Sequence, residues 1–139
     1  MTETEAERAA WYQAHKGDLV IREAPASALD VEARLAELAA LPADWDSHGA
    51  KPVEATAIEM ARRVIAAADR APWWISPLPD GSVTVEWRAG RRTVEIDIVP
   101  DSTPREALVT ERGVITYLDE RRIDEADVPG LLRDWLGEP

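Results

Sequence analysis

The strongest constraint on this chain is a strict two-residue alternation that sets in at Ser82 and runs to Val99. Val83, Val85 and Trp87 alternate with Thr84 and Glu86; after Ala89-Gly90-Arg91, Val94, Ile96 and Ile98 alternate with Glu95 and Asp97. Successive strand side chains point to opposite faces, so the pattern predicts a β-hairpin with one apolar and one acidic face. The apolar face needs a cover, and amphipathic helices on either side of the hairpin supply one.

Upstream, Val31, Leu35, Leu38 and Leu41 recur at helical spacing, with Ser27 or Asp30 placed to cap the start and Pro42 to end the run. Ile58, Ala61, Ile65 and Ala68, widened by Met60 and Val64, predict a second helix with Pro52 near its first turn and its end before Pro72. The Ala- and Glu-rich stretch from Thr4 to Lys16 predicts a short leading helix, and Asp18 to Arg22 a strand or extended connector. Downstream, Val128, Leu131, Leu132 and Trp135 mark the apolar side of a helix between Asp124 and Leu136. Trp73 to Pro77 predicts a strand ahead of the hairpin, joined through Pro79-Asp80-Gly81. Glu106 to Thr110 and Gly113 to Leu118 predict a second hairpin about Glu111-Arg112-Gly113. The expected fold is α+β: N-terminal helices, a four- or five-stranded mainly antiparallel sheet and a C-terminal helix. One domain is expected over residues 1–139, with 27–139 as its compact core and 1–26 as a loosely docked extension.

Charge and composition narrow the function. Lys and Arg number 16 against 27 Asp and Glu, a net charge of −11, which repels phosphate backbones and argues against a direct nucleic-acid partner. The absence of cysteine removes disulfides, thiolate nucleophiles and iron–sulfur ligation, and fits a reducing compartment. The acidic start and the lack of an apolar run of membrane length lead us to expect a cytoplasmic protein with no membrane association. No cofactor is expected, and no catalytic residue is assigned.

Three groups of residues stand out. The spacing Asp44-x-Asp46-x-His48 places oxygen and nitrogen ligands where a loop could fold around a divalent cation. The same loop has a purely structural reading, in which Trp45 anchors in the core, Asp46 or Ser47 caps a turn and Gly49 takes a positive φ. On the hairpin, Glu86, Glu95 and Asp97 converge across adjacent strands, where like charges repel unless a basic partner relieves them. Read as a flat solvent-facing surface, this face should tolerate reversal of Glu86 and Glu95 to Lys. Trp73 and Trp74 are adjacent, so in a strand they point to opposite faces and at most one joins the main core; the other is a protein-binding anchor if exposed.

Two of these stretches carry a resemblance. Leu41-Pro42-Ala43-Asp44-Trp45-Asp46-Ser47-His48-Gly49-Ala50, then a helix, then Ile75-Ser76-Pro77-Leu78-Pro79-Asp80-Gly81-Ser82-Val83-Thr84-Val85-Glu86-Trp87 resemble a group of small, uncharacterised bacterial proteins. That group has a W-D-x-x-G-A loop, a helix and a P-x-P-D-G-x-V-x-x-E-W hairpin. The likeness spans about Leu41 to Ile98 and implies no activity.

The expected function is a small acidic protein-binding module, an inhibitor, antitoxin-like or immunity-like protein or accessory subunit, acting on a protein with a basic or apolar surface. Its contact residues are Glu86, Glu95, Asp97, Trp73 and Trp74. The alternatives are a divalent-metal-binding domain using the acidic face or Asp44, Asp46 and His48, and a hydrolase using His48.

Overall fold

The structure, a computed structural model, describes residues 29–99, 105–111, 114–118 and 123–138. The leading helix expected at Thr4–Lys16, the segment Asp18–Arg22 and the extension 1–26 lie outside the described residues. Helix α1, Val31–Ala39, opens where Asp30 accepts the amide of Ala33 at 3.0 Å, an N-cap that satisfies one of the first turn's unpaired donors. Leu35 and Leu38 are its core contacts, with Val31 and Leu41 partly buried beside them.

Helix α2, Ala55–Ala68, begins later than the position of Pro52 suggests. The amides of Lys51 and Glu54 are committed to the carbonyls of Pro79 and Gly81, each at 2.9 Å, so the chain through Pro52 and Val53 runs extended along a distant turn before it can coil. Once started, α2 buries Ala57, Ile58, Met60, Ala61, Val64 and Ala68. It stops at Asp69, whose φ of 54° places it in the left-handed region that ends many helices.

The sheet is antiparallel throughout, in the order β1-β2-β3-β4-β5, with β1 Trp74–Pro77, β2 Val83–Ala89, β3 Arg92–Ile98, β4 Arg105–Glu111 and β5 Val114–Leu118. Ala89 pairs with Arg92, leaving Gly90-Arg91 as a two-residue hairpin loop. Gly90 has φ +60°, as the first central position of a II′ turn requires. Val83, Val85, Trp87, Val94, Ile96 and Ile98 are all fully buried on one face, in the register the alternation predicts. A single turn of 3₁₀ helix at Glu125–Asp127 leads into α3, Val128–Leu136, which sets Val128 and Leu132 into the same core and packs Leu131, Trp135 and Leu136 against it. The chain is therefore α+β, with an antiparallel sheet and helices packed on its apolar face. Among the described residues no helix is long and apolar enough to cross a membrane.

Arginines fasten the periphery. Arg63 pairs with Glu125, Arg70 donates to the carbonyl of Gly137, and Arg92 donates to the carbonyl of Trp135 at 3.1 Å, tying the two ends of the 3₁₀–α3 segment to α2 and to the β2–β3 hairpin. At the β1 edge, Arg34 from α1 is only 2% exposed. Its Nε donates to the carbonyl of Ile75 at 2.9 Å, and its guanidinium sits 4.2 Å from the centroid of the Trp74 ring. A strand edge offers unpaired backbone groups to other chains, and Arg34 occupies one of them from within.

Candidate functional site

The two stretches that carry the resemblance meet at one end of the sheet. Leu41–Pro52 closes on itself: Asp44 N donates to Ala50 O at 2.7 Å, and the Asp44 carboxylate accepts the Gly49 amide at 2.7 Å. Asp46 accepts the amides of His48 and Ala50 at 2.8 and 3.0 Å. Trp45 Nε1 donates to the Lys51 carbonyl at 3.1 Å. Gly49 takes the expected positive φ, 83°, and Asp44 and Ser47 join it at 62° and 63°. Residues outside glycine enter this region at a cost, which the dense local hydrogen bonding offsets. The amides of Lys51 and Glu54, donating to the carbonyls of Pro79 and Gly81, then staple the closed loop and the start of α2 to the β1–β2 turn.

Gly81 is the tight point of that staple. Its φ is +93°, and a Cβ there would lie 3.0 Å from Glu54 Cγ and 3.3 Å from the carbonyl oxygen of Pro52. Gly81→Ala is expected to cost about 1–3 kcal/mol, as a lower urea midpoint with unchanged slope. A midpoint equal to that of the parent would show that the staple is dispensable.

This geometry revises the loop expectations. Trp45 is part-buried and lies outside the core cluster, so it fastens the loop instead of plugging the interior. The geometry lends no support to the metal reading of Asp44, Asp46 and His48. One oxygen of each aspartate, Oδ1, accepts amides of its own loop, Asp46 Oδ2 is buried without a hydrogen bond, and among the described residues no three His, Cys, Asp or Glu groups are gathered in a way that could hold a metal ion. Burial works against the charge on Asp46, but the amides of His48 and Ala50 prevail and hold its carboxyl below the ordinary range. His48 is exposed, and its ring meets no nucleophile among the described residues, so the base–nucleophile contact a hydrolase needs is not formed there.

The acidic face is corrected as well. Glu86 and Glu95, direct partners across β2 and β3, are each only 3% exposed, and Trp74, Ser76 and Thr84 on the same face are buried with them. Glu86 forms an ion pair with Arg88, two residues along the same face, and Thr84 Oγ1 donates to Asp97 at 2.7 Å, with Asp97 part-buried. Glu86 and Glu95 therefore belong to a closed polar layer. They are not an open docking surface.

The tryptophan pair divides into one buried and one exposed ring, with Trp73 standing just ahead of β1. Trp74 lies on the polar face, buried under the Arg34 guanidinium, and so is not a surface anchor. Trp73 is 39% exposed and is the one exposed large apolar side chain among the described residues. Its amide extends the β1–β2 pairing, donating to Glu86 O at 2.7 Å, and the Arg88 guanidinium stacks 4.6 Å from its ring centroid. The contact with Trp73 is not legible in the sequence, whereas Arg88 itself is a basic residue expected near the acidic face to compensate its charge. Its signal was its place in the alternation, two residues beyond Glu86 on the same face.

Comparison with protein-family models, with curated proteins and with solved structures returns no match.

Proposed function

We propose that the chain is a small protein-binding module of the inhibitor, antitoxin-like, immunity-like or accessory-subunit kind. In this reading the module has a sheet of four or five strands with helices N-terminal and C-terminal to it, and it belongs with the bacterial group that shares its loop and hairpin. The observation that carries the proposal is Trp73, exposed and held in one orientation by Arg88. Tryptophan and arginine are the residues most enriched where binding energy concentrates, and an anchor already held in place loses little freedom on binding. Of the two partner chemistries expected, basic and apolar, burial of Glu86 and Glu95 removes the acidic sheet face as a docking surface, and Trp73 favours an apolar contact.

The test is affinity capture from cells of the source organism with the intact chain and with Trp73→Ala, followed by native mass spectrometry. A stoichiometric partner retained by the intact chain and lost with Trp73→Ala is expected. Recovery of no stoichiometric partner overturns the reading.

A further inference from the structure

We infer that the second face of the sheet, opposite α2 and α3, is a docking surface for the chain's own residues 1–28, which lie outside the described residues; the inference goes beyond the protein-binding reading and stands without it. Ser76, Thr84, Glu86 and Glu95 on that face are almost fully buried. No described helix accounts for this: α2 and α3 pack with the apolar set of Val83 to Ile98, and α1 stands at the β1 edge. A side chain on a sheet face stays in water unless another layer lies over it, so a layer lies there. Outside the described residues one stretch is long, 1–28; 100–104, 112–113 and 119–122 are short and bridge neighbouring elements.

The dimensions suit that stretch. The ladder aligns Trp74, Glu86, Glu95, Leu108 and Tyr117 in one row across all five strands. Five strands span about 19 Å at the usual spacing. The helix expected over Thr4–Lys16 measures about 20 Å, enough for the whole row. The residues from Gly17 to Ala28 reach up to about 40 Å when extended, ample to return the chain to the start of α1 at the β1 edge.

The chemistry of the two sides also matches. The row has acids at its centre and Trp74, Leu108 and Tyr117 toward its ends. At helical spacing Arg8, Trp11, Tyr12 and His15 share one side of the expected helix, two aromatic and two basic groups. Arg88 answers Glu86, but Glu95 and Asp97 bring two further carboxylates into the layer, and carboxylates taken out of water need cations or donors beside them. Arg8 and His15 serve the acids, and Trp11 and Tyr12 lie against the apolar ends of the row. The acidic face is thus closed in cis, and an outside partner reaches it only by displacing residues 1–28.

Paramagnetic broadening in NMR tests this on the full chain. The chain has no cysteine, so a nitroxide on Ala10→Cys, on the side of the expected helix away from Trp11 and Tyr12, reports on this segment alone. Trp74 and Trp87 lie on opposite faces of the sheet and give separate indole signals. Broadening is expected to be severalfold stronger at Trp74 than at Trp87, and to fall severalfold when Trp11 and Tyr12 are both replaced by Ala. Arg8→Gln, a milder change, should give a smaller fall in the same direction. Equal broadening at the two indoles, broadening at neither, or no response to any of these replacements overturns the inference. In a mixture of nitroxide-bearing chain with isotope-labelled parent, no broadening between chains is expected; its appearance at Trp74 overturns the inference by placing a second copy's segment on the face.

Discussion

Trp87→Ala is expected to destabilise the protein by about 3–5 kcal/mol, read as a large drop in the urea midpoint. Trp87 is fully buried on β2, between β1 and β3, and carries the largest side chain among those most completely buried. Its truncation leaves a cavity in the layer where α2 and α3 close over the sheet, and neighbours on a hydrogen-bonded ladder can relax into that space only in part. The indole also donates to the Arg70 carbonyl at 3.1 Å, so the substitution removes a hydrogen bond from the segment that links α2 to β1. Trp87→Phe separates the two contributions, since it retains most of the volume and loses only the donor; about 1–2 kcal/mol is expected there. A domain with a total stability of roughly 5–15 kcal/mol keeps little after the alanine substitution. A loss below about 1 kcal/mol, typical of exposed sites, would mean that the apolar face does not hold the fold together.

Glu86→Lys carries the second large effect, and its sign is opposite to the tolerance expected of an open acidic face. Glu86 is buried and is the carboxylate partner of Arg88. A lysine there places a second cation beside Arg88 in a closed layer and leaves the guanidinium without its anion. Arg88 keeps water on its exposed side, so the cost lies in holding the lysine charge at a buried position without an anion, about 3 kcal/mol. Glu86→Gln keeps the shape and one acceptor oxygen, and should cost clearly less. The same denaturation series measures both. If Glu86→Lys is as stable as the parent, the layer admits water and the polar face is open after all.

These two sites show how far the sequence could be read. Alternation fixes which residues share a face, and the apolar set from Val83 to Ile98 stands in the expected register because no other period fits it. Alternation does not say whether the polar face meets water. Glu86 and Glu95 looked solvated because acidic side chains usually are, but Trp74 shares their row and Arg88 follows on the same face, a combination suited to an ion pair whose carboxylate is buried and whose guanidinium reaches solvent. The stripe of α2 was legible in its spacing, while its first residue was not. The amides of Lys51 and Glu54 are held by a turn about thirty residues away, and no local signal reports a contact at that range. In the loop, the structural reading of Gly49 and Asp46 was available from turn chemistry alone, and neighbouring amides take one oxygen each of Asp44 and Asp46, which the ligand spacing does not reveal. Trp73 precedes β1 and its ring meets Arg88, which shares a face with Glu86 and Trp74, so strict alternation does not extend to the pair and only packing could assign the exposed one.

The staple between the β1–β2 turn and the start of α2 also bears on how the molecule opens. Lys51 and Glu54 sit at the entrance to a helix, where amides ordinarily fray and exchange with solvent quickly. Their acceptors belong to the β1–β2 turn, so solvent reaches those two protons only when that turn opens. In native-state hydrogen exchange Lys51 and Glu54 should share the opening free energy of that turn, so that the entrance of α2 and the first hairpin of the sheet form one cooperative unit.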